Sequence, residues 1–170
     1  PFTEPSWFLP RVIERHDGKE GDTLLINGKE NSIIEIHAGQ KERWRIVNAS
    51  SARYFRLHFE GRSFQIISTD GGLLEKPRIE TELLITPGER FDIVVGPFGE
   101  GEMFALESLG YNRMTFLKAK RQTFATVKVK EPKPSVAYLP ERLRSIEPLA
   151  PQQAPVSRKI KLSVGPSLSH

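Results

Sequence analysis

Residues 44–95 read WRIVNASSARYFRLHFEGRSFQIISTDGGLLEKPRIETELLITPGERFDIVV, and their hydrophobic period decides the fold class. Trp44 and Ile46 share one face, with Arg43 and Arg45 opposite. Phe55, Leu57 and Phe59 alternate with Tyr54, Arg56 and His58. Ile79, Thr81, Leu83 and Ile85 alternate with Glu80 and Glu82, and Phe91, Ile93 and Val95 with Arg90, Asp92 and Val94. A period of two is what a strand with one buried face requires. The turns agree. Pro87-Gly88 suits the centre of a type II turn, Asp70-Gly71-Gly72 ends Phe64–Thr69, and Gly96-Pro97 closes the last strand of the stretch.

Working outward, the same alternation returns in Thr123–Lys130, with Ala125, Val127 and Val129 on one side and Thr126, Lys128 and Lys130 on the other. No segment keeps an apolar stripe over three helical turns. The expected fold is all-β, a sandwich or Greek-key barrel of many short strands. Pattern alone fits any β-sandwich equally well.

The chain has 170 residues, long enough to hide roughly 70% of its unfolded surface without disulfides or metal staples. It contains no cysteine, which removes disulfides, thiolate chemistry and cysteine metal sites together. Net charge is +4 with both signs mixed along the chain, a balance that serves solubility and does not mark nucleic-acid binding. No apolar run approaches the roughly 20 residues of a membrane span. The opening PFTEPSWFLP lacks the charged start and apolar core of a secretory leader, as an internal fragment also would, so localisation is not read from these residues.

Composition changes after Glu131. Six of the thirteen prolines fall between Pro132 and Pro155, too many for a strand that must donate ladder hydrogen bonds. An extended linker running along a surface is expected there. Beyond it, Arg158–Val164 (RKIKLSV) reads as a new strand without partners, the first of a following domain. The expected organisation is an N-terminal linker over 1–20, the β-domain over 21–131, the proline-rich linker over 132–157 and a truncated next domain over 158–170.

Several motifs occur in the order found in the second domain of bacterial three-domain multicopper oxidases, the laccases and cuproxidases. Gly18-Lys19-Glu20-Gly21-Asp22 through Leu25-Ile26-Asn27-Gly28 resembles that domain's opening strand and "VNG" turn. Arg45-Ile46-Val47-Asn48-Ala49-Ser50 with Arg53-Tyr54 resembles "R-L-L-N-A-S-x-A-R". Ile66 to Gly72 resembles "V-I-A-x-D-G-G", and Pro87 to Val95 resembles "P-G-E-R-x-D-V-L-V". Tyr111-Asn112-Arg113 resembles a "P-Y-D-R" loop, with Gly110 in place of proline. Two departures stand out: Arg62 lies where members often carry histidine, and Met114 is alone where some relatives are methionine-rich.

The resemblance implies a cupredoxin-like Greek-key sandwich and a polypeptide that oxidises phenols or metal ions by single electrons while reducing dioxygen to water. The type 1 copper of such an enzyme needs two histidines and a cysteine thiolate, and its trinuclear cluster needs eight histidines. This chain offers only His16, His37, His58 and His170, none of them paired at i, i+2. In the family the ligands come from the first and third domains, so the resemblance implies copper in the parent protein and no catalytic or metal-binding residue here. The role expected is a scaffold between domains 1 and 3 of the same polypeptide, in a periplasmic or secreted parent. Asn48, Arg53, Asp70, Gly71, Gly72, Gly88 and Arg90 are the expected structural signature, carrying turn geometry and strand pairing. Tyr111, Asn112 and Arg113 are candidates for a loop on the substrate side.

The residues leave other readings open. Some cell-division and export-related members of the superfamily have lost their copper ligands, and nothing within this domain separates a copper-free scaffold or binding protein from an enzyme. An autonomous binding sandwich is less compatible with the orphan strand at 158–164. Six cations between Arg113 and Lys130, interleaved with Tyr111, Phe116 and Phe124, would suit single-stranded nucleic acid, although a solvated hairpin with core aromatics explains them better. Neither a Gly-x-Ser-x-Gly elbow nor a phosphate-binding loop is present. Asn48-Ala49-Ser50 matches a glycosylation sequon, but the same asparagine is expected to tie down a turn. Surfaces meant for neighbouring domains are expected to favour self-association of the isolated chain.

Overall fold

The computed structural model describes residues 18–112, 118–134, 138–148 and 158–161. Eleven strands form two stacked sheets and a small hairpin, and no helix occurs among the described residues. In chain order they are β1 (Ser32–His37), β2 (Glu42–Val47), β3 (Phe55–Phe59), β4 (Phe64–Thr69), β5 (Gly72–Glu80), β6 (Glu82–Ile85), β7 (Arg90–Val95), β8 (Met103–Ser108), β9 (Tyr111–Asn112), β10 (Lys118–Ala119) and β11 (Gln122–Lys130). One sheet has the order β1-β11-β8-β3-β6, the other β2-β7-β4-β5, and β9 pairs with β10. Only β1 and β11 run parallel; every other pair is antiparallel. From β1 to β8 each connection except the β4–β5 hairpin crosses between the sheets, the Greek-key habit of a cupredoxin-like sandwich.

The core lies between the sheets and uses the faces the period assigned. Leu57 and Phe59 of β3 meet Phe64 and Ile66 of β4, Ile85 of β6, Ile93 and Val95 of β7 and Val127 of β11. Each such side chain contributes about 2 kcal/mol by leaving water. The aromatics pack at tilted angles, Phe59 5.5 Å from Trp44 and 5.3 Å from Phe64. Tilted contacts avoid the repulsion of stacked π faces.

Three expectations are corrected. Ile79 to Ile85 is not one strand. The chain bends at Thr81 and passes from the four-stranded to the five-stranded sheet, so Leu83 and Ile85 are buried while Ile79 is 67% exposed. Ile79 pairs with Gln65, whose neighbours Phe64 and Ile66 point inward, and this places Ile79 on the outer face. The segment 18–25 forms no strand; the chain first pairs with itself at Ile26 and Lys29, around the turn Asn27-Gly28. Residues 158–161 carry no strand, and the rest of the expected strand to Val164 lies outside the described residues.

Two glycines at sheet exits differ in what surrounds them. Gly96 has φ +85° and its absent Cβ would stand 2.4 Å from the Gln40 carbonyl oxygen. Gly88 has φ +83° but nothing within 4 Å. Both substitutions by alanine strain the backbone, and only Gly96→Ala adds a collision with main chain. In chemical unfolding Gly88→Ala is expected to cost about 1 kcal/mol and Gly96→Ala about 2 kcal/mol or more. Equal losses would contradict this account.

Candidate functional site

The signature residues converge where β2 and β6 end and β7 begins. Asn48 follows β2 directly and is 3% exposed. Its Nδ2 donates to the carbonyls of Arg53, at 2.8 Å, and Ile85, at 3.0 Å. Its Oδ1 accepts the Ser50 amide at 3.0 Å. The Ser50 hydroxyl lies 2.6 Å from that Oδ1 and 2.7 Å from the Arg53 carbonyl, with one proton to give. The Asn48 main chain is used as well, donating to Glu89 O at 3.1 Å and accepting from Gly88 N at 2.8 Å. A buried amide must find partners inside the chain, and only asparagine offers two donors and an acceptor at this length. With Nδ2 buried and donating twice, the sequon is not a glycan acceptor in the folded chain.

The Pro87-Gly88 turn sits on this hub. Glu89 N donates to Thr86 O at 3.1 Å, closing the turn, and the Glu89 carboxylate accepts from the Thr86 amide at 2.8 Å. On the far side Asp70 accepts from the Arg90 amide at 3.3 Å and from Arg90 Nε at 2.7 Å. Asp70-Gly71 is the two-residue loop of the β4–β5 hairpin, closed by the pairing of Thr69 with Gly72. The structure thus joins Asn48, Gly88, Arg90 and Asp70 in one set of contacts.

Arg53 leads from the hub to a second cluster that the sequence did not announce. Its guanidinium reaches Gln122 Oε1 at 3.1 Å, the Gly21 carbonyl and, at 3.7 Å, the Glu20 carboxylate. The Tyr111 hydroxyl donates to the other Glu20 oxygen at 3.2 Å and accepts from Tyr54 N at 3.1 Å. The two tyrosine rings stack at 6.0 Å. Burial, then the neighbouring Glu20 carboxylate, pushes the Tyr111 phenol above its ordinary value of 10.0. This arrangement ties residues 19–21 to the sandwich, helped by Ser51 Oγ to Lys19 O at 3.4 Å. Tyr111 and Asn112 form β9, Asn112 is exposed, and Arg113 lies outside the described residues.

Of the six cations flagged between Arg113 and Lys130, Arg121 and Lys130 form ion pairs. Arg121 donates to Glu107 through Nε at 2.9 Å, and Thr123 Oγ1 lies 3.3 Å from the same carboxylate. Lys130 meets Glu35 at 2.6 Å, and Phe124 packs in the core against Phe55. Glu107, itself buried, was invisible to a one-strand reading, because its partners Arg121 and Thr123 come from the residue before β11 and from its start. Arg62 lays its guanidinium 3.9 Å above the Phe104 ring and bonds Glu102 through Nε at 3.1 Å. The residue that departs from the family pattern therefore closes one end of the sandwich.

The donor set does not fit copper. The sequence lacks cysteine, and among the described residues no three His, Cys, Asp or Glu side chains gather as a metal site. His37 lies on β1 and His58 on β3, three strand spacings or about 14 Å across the sheet, and the register sets them roughly 20 Å apart along it, His37 level with Lys130 and His58 with Glu107 and Thr123. Each already engages a carbonyl through Nδ1, His37 with Glu131 O at 2.9 Å and His58 with Thr81 O at 3.0 Å. His16 and His170 lie outside the described residues.

Two outcomes follow for this region. Asn48→Ala is expected to lower unfolding free energy by about 2–4 kcal/mol, because two carbonyls and an amide lose their partner in a buried place. Asn48→Asp should do no better at neutral pH, since it turns a carboxylate oxygen toward two carbonyls; a urea titration showing under about 1 kcal/mol for either would refute the hub. Separately, Arg121 holds the Glu107 carboxyl below its ordinary value of 4.5, against desolvation. A depressed carboxyl contributes stability above its unfolded value and loses it as pH falls through the folded one. The stability gap between wild type and Glu107→Gln should be widest at neutral pH and close below the ordinary carboxylate range, as thermal unfolding across pH would reveal.

Comparison with known proteins gives the wider setting. Residues 9–126 match the family model described as Multicopper oxidase. The solved multicopper oxidase McoA of Aquifex aeolicus superposes with a TM-score of 0.72 at 28% identity, over 79% of this chain and 30% of that one. The multicopper oxidase of Campylobacter jejuni, described as a metallo-oxidase, gives 0.69 at 31% identity, over 82% of this chain and 29% of that one. Among curated relatives, the cell division protein FtsP of Xenorhabdus nematophila is 43% identical over 81 residues, 47% of this chain and 17% of the relative. That of Proteus mirabilis is 44% identical over 87 residues, 51% and 18% respectively. The chain spans about a third of the solved proteins and less than a fifth of the curated ones. On the match of its sequence and the likeness of its fold, the chain belongs to the multicopper oxidase family.

Proposed function

We propose that this chain is the middle domain of a three-domain multicopper oxidase, built to hold its neighbours and not to bind copper. The observation that carries the reading is family membership combined with a donor set unfit for copper: no cysteine, and two described histidines on strands three apart. The parent's oxidation of phenols or metal ions, coupled to reduction of dioxygen, then belongs to domains 1 and 3, with this sandwich as the spacer between them. The latch of Glu20, Arg53 and Tyr111 suits that role, because it fixes the chain arriving at the sandwich. Asn112, exposed beside Tyr111, is the described residue of that loop free to face a substrate site, with Arg113 next to it in sequence. The boundaries at 21–131 and 132–157, and a periplasmic or secreted parent, belong to the same proposal.

A second reading is favoured by one finding. The curated relatives named above are cell division proteins, more identical to this chain than the solved oxidases are, though over fewer residues. A parent of that kind would use the same sandwich as a scaffold without copper. The two readings differ outside this chain, in the presence of His-x-His pairs before it and a His-Cys-His element after it.

Copper titrated into the isolated chain is expected to give no blue absorption band and no oxidation of phenols or Cu(I); a blue band would overturn the proposal. Copper-loaded parent polypeptide then separates the two readings. A type 1 absorption band with oxygen uptake selects the oxidase, and the absence of both selects the scaffold.

A further inference from the structure

The face of the four-stranded sheet that points away from the core is expected to be wet, and part of it is not. Val94 on β7 and Ile67 on β4 are only 6% and 4% exposed, yet neither belongs to the core cluster. Val94 alternates with the core residues Ile93 and Val95, and so faces outward. Ile67 sits at the bulge between Ile66 and Ser68, where the register of β4 shifts against both of its neighbours. A bulge places two successive side chains out of strict alternation, which lets Ile66 join the core and Ile67 point away from it.

The proline-rich segment is tied down at both edges of this face. Beside β2, Gln40 Nε2 donates to Lys133 O at 2.8 Å. At the opposite edge, Leu143 N donates to the Glu75 carbonyl of β5 at 2.8 Å. The Arg142 guanidinium meets the Glu75 carboxylate at 2.6 Å, and Arg144 lies against Gly72. In the sheet order β2-β7-β4-β5, a line from Gln40 to Glu75 crosses β7 and then β4. The register puts Arg43, Val94 and Gln65 side by side, three residues beyond Gln40, and Ile67 two residues further along β4. The diagonal therefore passes over Val94 and Ile67. Its length, three strand spacings across and about five residues along, is about 22 Å.

We propose that the segments 132–134 and 138–148 act as a strap over the outer face of the four-stranded sheet, with Val94 and Ile67 as its apolar seats and Glu75 as its clasp. Proline suits such a segment. It stiffens the extended chain and withholds donors, so the strap lies across the sheet without adding to it as a strand. The strap also covers part of the free edge of β5, where an unpaired strand invites a second chain. Most importantly, it moves the departure point of the following polypeptide from the end of β11 to the β5 edge. The inference concerns this chain alone and holds for either reading of the parent's copper.

Amide hydrogen exchange on the 170-residue chain tests it, with the Leu143 amide as reporter. That amide is expected to exchange at least about tenfold more slowly than in an unstructured peptide. Val94→Ser, which spoils a seat without entering the core cluster, should remove the protection. Arg142→Ala, outside the sandwich and so unable to unfold it, should weaken the protection severalfold. Exchange of the wild-type Leu143 amide at the peptide rate would overturn the strap, as would full protection retained in both variants.

Discussion

Asn48 is buried at the point where β2 and β6 end and β7 begins, and its side-chain amide has both donors and its acceptor filled from within the chain. That saturation is the constraint on which the rest of the sandwich rests. The carbonyl of Ile85 ends β6 in one sheet, the carbonyl of Arg53 precedes β3, and Asn48 itself ends β2 in the other sheet. One side chain therefore sets the spacing of the two sheets at that end. An unpaired carbonyl in that buried place would cost about 1–3 kcal/mol. The same residue's main chain holds the turn at Gly88, so β7 begins in a position dictated by β2.

From this hub the polar contacts lead outward in two directions. Asp70 grips Arg90 and binds the β4–β5 hairpin to the start of β7. Arg53 leads to Gln122, Glu20 and Tyr111, and so to the segment that enters the sandwich. Hydrophobic burial supplies most of the stability of such a fold, but it is indifferent to small shifts between sheets. The hydrogen-bonded ends are what single out one arrangement. Under the proposed role as a spacer between neighbouring domains, that rigidity is the functional property.

Much of this was legible before any coordinates. The period of two in Phe55–Phe59 and Phe91–Val95, with Pro87-Gly88 and Asp70-Gly71 as turns, gives strands and their faces. Asn48 was legible only through its place in a recurring motif, because nothing in its neighbours states that Ile85, 37 residues away, will present a carbonyl. Glu20, Gln122 and Glu107 were not legible at all. Their partners Arg53, Tyr111 and Arg121 lie far along the chain, and the local pattern marks them as solvated polar residues.

What the sequence by itself determined is local: which segments are extended, which side of each is apolar, where proline and glycine turn the chain, and that thiolate chemistry is absent. Those follow from side-chain volume, polarity and backbone freedom, which each residue carries with it. Only the tertiary structure decided which polar groups meet, because that depends on the order of strands in two sheets. It sent Ile79 to the outside where the chain changes sheets at Thr81, buried Ile67 at a bulge, and brought Glu75 to Arg142 across 67 residues. Such pairings exist only once hydrophobic burial has stacked the sheets, and no local pattern encodes them.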